Sequence, residues 1–287
     1  MAVTIPESSQ ALFEALSLLQ PYDIDKRKVR WGTGNDGGHV FAQGIRPEQP
    51  LLSLGMGWNC DLELQFAEEG HPVAMFDPTI EAHPHTHPSF TFHKFGVAGA
   101  DSTDGQYRSF ESVMALSGFG SRNDLILTMD VEGYEFEALA NTPEQIIRQF
   151  EQIVIEIHWL AQLSDPNFRA VYMPAMKLLS ENFTIFHVHA NNCAPLRIIG
   201  GVKTVFEPIG GFVVADVLKL SLIRSDLAVA SESHTFYPTS LDRPNHSLSP
   251  DHMLAFYPFV PASDLGRTNM KRAALLNDVR YRQAVGE

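Results

Sequence analysis

Six short apolar runs, at 51–54, 73–76, 90–95, 125–129, 153–157 and 183–188, recur through the middle of the chain with helical stretches between most of them. Each run is too short for a helix and too apolar to lie half in water, so each reads as a strand buried on both faces. The helical stretches fall at 61–69, 110–116, 134–140, 143–150 and 168–179. Strands alternating with helices predict an α/β fold, a mostly parallel sheet with helices on both faces. Two helix starts carry a capping residue followed by proline, Thr142-Pro143 and Asp165-Pro166.

The flanks have a different texture. Ser8 and Ser9 precede Ala11, Leu12, Phe13, Ala15, Leu16, Leu18 and Leu19, with Pro21 as a stop, which predicts a capped amphipathic helix. The stretch 30–44 is glycine-rich but holds Val40 and Phe41, as a small hairpin would. A last strand pair is expected in 212–223, and beyond Asp226 the pattern fades into a Pro- and His-containing stretch before a charged segment, 271–281, with helical character. The expected organisation is therefore an N-terminal helix and hairpin over 1–48, a core domain over 49–226, and an extension over 227–287 packed on that core.

Charge narrows the partners. Thirty-four acids against 21 lysines and arginines leave a net charge of −13, which repels a phosphate backbone and argues against nucleic acid. Two cysteines suit a reducing compartment better than a secreted scaffold. The longest apolar stretch, 210–223, is broken by Asp216 and Lys219, and no basic region followed by an apolar core opens the chain. The expectation is a cytoplasmic protein, off the membrane, free to form a homo-oligomer.

The sequence Leu51-Leu52-Ser53-Leu54-Gly55-Met56-Gly57-Trp58-Asn59-Cys60-Asp61 is a buried strand running through a glycine turn into a helix. At the carboxyl edge of a parallel sheet, such a turn lets a ligand lie against bare backbone near free helix N–H groups. Asp77 ends the next strand 20 residues after Gly57, where an acid can accept both hydroxyls of an adenosine ribose in whichever nucleoside cofactor is bound. A dinucleotide fingerprint would place a third glycine where this chain has Cys60, which disfavours a nicotinamide oxidoreductase.

Further along, Asp130-Val131-Glu132-Gly133-Tyr134-Glu135 ends a strand and opens a helix. This element resembles the FkbM-type family of S-adenosylmethionine-dependent methyltransferases. The resemblance extends to Asp36-Gly37-Gly38-His39-Val40 upstream, to Ile153–Ile157 with His158, to His187-Val188-His189-Ala190-Asn191-Asn192, and to Leu241-Asp242-Arg243-Pro244-Asn245. It departs at His39, where the family has tyrosine, and at Val217-Leu218-Lys219-Leu220-Ser221, which lacks the family's acid. The resemblance implies a Rossmann-like class I methyltransferase fold, a seven-stranded sheet with an antiparallel last strand, and S-adenosyl-L-methionine as cofactor. It implies that Gly55, Met56, Gly57, Asn59, Asp77, Gly96, Val97 and Asp130 form the cofactor site, with Asp130 at the methyl-transfer end.

Moving a methyl group to a hydroxyl needs an aligned nucleophile and a base or a metal for its proton. Asp130, His158 and His189 end three successive strands, and carboxylate plus imidazole can ligate a divalent ion. Without a metal, Asp130 positions the cofactor and His158 is the base, with Glu156 on the same strand face as its orienting acid. Glu132 reads as a helix-start acid favoured by the dipole. Trp58, Trp159 and Tyr134 stand where they can wall a pocket, and the run His83 to Pro88 reads as an exposed loop. The expected activity is methylation of a small-molecule or sugar-type hydroxyl. N-methylation, a peptide substrate and an inactive scaffold stand as alternatives.

Overall fold

The protein is described by a computed structural model covering residues 7–200, 202–203, 208–209 and 211–260. Seven strands form the central sheet: β1 (Leu51–Leu54), β2 (Val73–Phe76), β3 (Phe90–His93), β4 (Leu125–Met129), β5 (Phe150–Ile157), β6 (Phe183–Ala190) and β7 (Leu218–Arg224). Their order is β6-β7-β5-β4-β1-β2-β3. The β1–β5 pairings are parallel, whereas β7 inserts antiparallel between β5 and β6, pairing Glu156 with Lys219 and Lys219 with His189. This order, with one reversed strand, is the class I methyltransferase arrangement, and it brings the ends of β1, β2, β4 and β5 to one edge.

Alternation along each strand divides the core in two. Leu52, Leu54, Leu127, Met129, Ile153 and Ile155 face one side, where α1 (Glu7–Ser17), α3 (Phe110–Ser117), α4 (Glu135–Ala140), α5 (Glu144–Ile147) and α6 (Pro166–Asn182) bury their apolar stripes. Leu51, Val73, Met75, Ile126 and Val154 face the other side, under α2 (Asp61–Glu68) and the hairpin of Lys28–Gly32 with Gly38–Ala42. Gln152 ties that hairpin to β5 by accepting from Ala42 N at 2.8 Å and donating to Ala42 O at 2.9 Å. Toward the carboxyl edge this second face turns polar, with Ser53, Thr128, Glu156 and Lys219 all buried.

Several local expectations need correction. The first helix begins at Glu7, so Ser8 and Ser9 are helical rather than caps. Thr142 is no cap either: its hydroxyl donates to Ala138 O, closing α4, and Pro143 takes the cap position of α5. Asp165 does cap α6, accepting from Asn167 N. The residues 212–223 do not pair with each other. Phe212–Ala215 pairs with Leu196–Ile199, and β7 enters the main sheet. The extension after residue 226 returns along the sheet, pairing Ala230–Glu232 with Tyr22–Ile24. The segment 271–281 lies outside the described residues. Among those described, no helix is long and apolar enough to cross a membrane.

Candidate active site

A cleft of about 620 Å³ opens at the carboxyl edge, within the roughly 300–1,000 Å³ of small-molecule sites. Gly55, Met56, Gly57, Asn59, Asp77, Gly96, Val97 and Asp130 all line it, joined by Trp58, Tyr107, Glu132 and Tyr134. The turn after β1 follows the floor closely. Gly55 N donates to Phe76 O and Asp130 N to Leu54 O, both at 2.8 Å, so three strand ends are stitched together. At Gly55, φ is +77° and a Cβ would lie 1.8 Å from Asp130 O, so only glycine fits. At Gly57, φ is +58° and a Cβ would meet nothing, because that side of the turn is open space.

Asp77 is 2% exposed and already engaged. It accepts from Gly57 N at 2.8 Å, Thr79 N at 2.7 Å and Thr79 Oγ1 at 2.6 Å. An ionised carboxylate offers about four lone pairs, so this arrangement leaves room for one ribose hydroxyl rather than two. Holding the glycine turn against β2 is its first structural task.

Beyond Asp130 lies a cluster around His158, just past the end of β5. Its Nδ1 is 2.9 Å from Oε1 of Glu135, a fully buried carboxylate that also accepts from Gly133 N. A carboxylate can only accept, so Nδ1 carries the proton and Nε2 is turned to the acids on the other side of the ring. Nε2 lies 3.4 Å from Glu132, 3.7 Å from Asp130 and 3.9 Å from Glu156. Ligand atoms of Asp130, Glu156 and His158 all lie within 4.8 Å of one another. Glu132 and Trp159 hold left-handed backbone, φ +52° and +64°, strain that is common where geometry serves a site.

His189 is not brought to this cluster. It sits across β7, its Nε2 2.9 and 3.0 Å from the two oxygens of Asp251. His187 is likewise paired with Asp242, at 2.8 Å. The place beside Glu156 is taken by Lys219, whose Nζ is 3.2 Å from Glu156 and 3.5 Å from Asp36. Glu156 also accepts from Asn191 Nδ2 at 2.7 Å, and it touches His158 only at the periphery, so the orienting acid is Glu135. Glu132 is not at a helix start, since α4 begins at Glu135. It is an exposed acid directed at His158.

These contacts set the charges. Burial, then the neighbouring Glu156, pushes the Asp130 carboxyl up to about 8, although His158 and Lys219 pull it down. Burial pulls His158 down, but the bond to Glu135 and the surrounding acids prevail and raise it to about 9. Both groups hold a proton more tightly folded than unfolded. The stability that His158 contributes is complete below its unfolded pKa near 6.5 and is lost as pH rises through about 9. The proton on Asp130 works in the same direction as pH passes about 8. Denaturation midpoints are therefore expected to fall between pH 6.5 and 9, and a flat profile there would show that these groups are not so coupled.

Lys219, Tyr107 and Glu135 were not singled out from sequence. Lys219 lies in a largely apolar strand, and a cation inside it is the only local signal of it in the sequence. Tyr107, stacked on Tyr134 at 4.9 Å, belongs to a two-residue strand, Tyr107–Arg108, paired with Gly96–Val97 and too short to leave a pattern.

No protein-family profile matches the chain, and no curated protein matches it. Among solved structures, it is similar to a protein described as a hemolysin from Streptococcus thermophilus, with 11% identity, TM-score 0.34, covering 63% of this chain and 60% of that one. It is also similar to precorrin-6y C5,15-methyltransferase from Geobacter metallireducens, with 10% identity, TM-score 0.29 and coverage of 63% and 83%. A third, described as an S-adenosylmethionine-dependent methyltransferase from Listeria monocytogenes, gives 10% identity, TM-score 0.33 and coverage of 63% and 93%. At such TM-scores the likenesses add nothing to the fold assignment, which rests on the strand order.

Proposed function

We propose that this chain is an S-adenosylmethionine-dependent methyltransferase that acts on a hydroxyl of a small-molecule or sugar-type acceptor. One observation carries the reading: in a sheet of class I order, a cleft lined by the glycine turn, Asp77 and Gly96-Val97 ends at Asp130 and Glu132, and behind these two acids, 3.7 and 3.4 Å away, stands the oriented imidazole of His158. The residues fit the cofactor, since the open side of Gly57 admits it against the backbone, Asp77 retains one acceptor position, and Tyr107 and Tyr134 form a stacked wall. When bound, S-adenosylmethionine supplies a methyl group on a sulfonium, which reacts in line with a nucleophile.

The chain's own part is alignment and proton removal. Glu135 holds the His158 ring, and Nε2, once deprotonated, takes the proton of the acceptor hydroxyl. With His158 raised to about 9, kcat/KM should climb about tenfold per pH unit below that value and level off above it. Dependence on a group titrating near 6.5 would mean that His158 is not the base.

Titration with S-adenosylhomocysteine tests the cofactor. It is expected to stabilise the protein, by about 2.7 kcal/mol at a hundred times its Kd, while NAD does not. Gly57→Leu should abolish that stabilisation by filling the open side of the turn. Preference for NAD would overturn the reading.

The 4.8 Å convergence of Asp130, Glu156 and His158 favours a second version, in which a divalent ion assists the hydroxyl. Lys219 opposes it, since an ammonium already faces Glu156. Dialysis against a chelator separates the two: full activity afterwards excludes the ion, and loss restored by added Mg²⁺ or Mn²⁺ requires it.

A further inference from the structure

Behind the main cleft, between the polar face of the sheet and the covering α2 and hairpin, lies a chamber of about 90 Å³. It shares Asp36, Gly55, Met56, Asn59 and Asp130 with the cleft, so the two meet beside Asp130. The hairpin, α2, β1, β4, β5 and β7 all supply polar side chains to it, and, apart from Glu156 Oε2, which Lys219 faces at 3.2 Å, four of the lining atoms are buried without a hydrogen-bond partner: His39 Nδ1, Glu63 Oε2, Thr128 Oγ1 and Asp130 Oδ1. Thr128 is 6% exposed and Glu63 is 3% exposed. Buried polar groups are otherwise almost always paired, so four orphans around one cavity mark a place where something polar is received.

The chemistry of the lining narrows what that is. The single ammonium of Lys219 already faces Asp36 and Glu156, and the other acids of the lining, Glu63 and Asp130, have no cation beside them in the chamber, so an anionic group finds no free positive partner there. Lys219, 3.2 Å from Glu156 and 3.5 Å from Asp36, already occupies the position a ligand ammonium would seek. A neutral group that both donates and accepts meets all of these partners, and a hydroxyl does so. The volume has room for a few waters or a short hydroxyl-bearing unit, and not for a ring.

We propose that this chamber is an acceptor subsite that takes the hydroxyl adjacent to the one presented to His158, so that the enzyme selects vicinal diols over isolated alcohols. The neighbouring hydroxyl meets Thr128, Glu63 and His39, while its partner stays at the chamber mouth by Asp130, which lies 3.7 Å from His158 Nε2. The inference depends on the methyltransferase reading only for which oxygen is alkylated, and not for binding.

The test uses the full chain and three small probes, cis-1,2-cyclohexanediol, cyclohexanol and cyclohexylamine, titrated by saturation-transfer NMR with and without S-adenosylhomocysteine. The diol is expected to bind at least tenfold more tightly than cyclohexanol. Thr128→Val, which removes one hydroxyl at constant shape, should weaken the diol about tenfold and leave cyclohexanol unchanged. His39→Leu should act in the same direction. Equal affinity for diol and monool, or a Thr128→Val variant that binds the diol normally, would overturn the subsite. Tighter binding of cyclohexylamine would overturn it too, in favour of a cation site. If S-adenosylhomocysteine fails to bind while the diol preference persists, the methyltransferase reading falls and the subsite stands. If it binds and the preference is missing, the subsite alone falls.

Discussion

Replacing His158 by asparagine is expected to lower kcat by about 10²–10⁴-fold, the range a positioned general base supplies, while S-adenosylhomocysteine affinity stays within twofold. The choice of asparagine follows from the geometry. Its amide nitrogen can stand where Nδ1 stands and keep the 2.9 Å bond to Glu135, while nothing remains at the place of Nε2. Alanine would be a poorer test, because it would leave a fully buried carboxylate without its partner, a change that typically costs about 3–5 kcal/mol. Stability and cofactor titrations on His158→Asn, beside single-turnover rates, separate the roles. Equal loss of affinity and rate would make His158 a support of the cofactor pocket, and an unchanged rate would remove it from catalysis. The variant should also lose the rise in kcat/KM toward pH 9, a readout that a merely structural role would not move.

Asp77→Ala is expected to weaken S-adenosylhomocysteine on the order of 10–100-fold, as for a charged hydrogen bond and the turn it organises. Two effects combine. One ribose hydroxyl loses its acceptor, and Gly57 N, Thr79 N and Thr79 Oγ1 lose theirs, so the glycine turn is no longer tied to the end of β2. Thr79→Val separates these contributions. It withdraws one protein donor from Asp77 while leaving the bond to Gly57, and so frees a second lone pair for the cofactor. Affinity in Thr79→Val should match or exceed that of the parent. Unchanged affinity in Asp77→Ala would confine Asp77 to structure, whereas a decline in Thr79→Val would mean that the side-chain bond itself shapes the pocket.

The sheet was legible in the sequence because burial on both faces demands continuous apolar runs, and β1, β2 and β4 have the limits expected from theirs. The positions of the glycine turn, Asp77 and Asp130 at one edge were legible for a related reason, since parallel strands deliver their carboxyl ends together, whereas Gly96-Val97 follows only from the family resemblance and reaches the cleft through a separate pairing with Tyr107–Arg108. Contacts made across the fold were decided by tertiary structure alone. His158 finds Glu135 across 23 residues and His189 finds Asp251 across 62, and local pattern carries no record of such pairings. Which acid of Glu132 and Glu135 is buried depends on a left-handed residue before α4, a conformation that spacing does not encode. Lys219 belongs to an apolar strand by pattern, and only the antiparallel insertion of β7 beside Glu156 turns it into the buried cation of the site. Strand periodicity is a property of neighbours along the chain, whereas charge, proton affinity and ligand shape depend on what burial brings together.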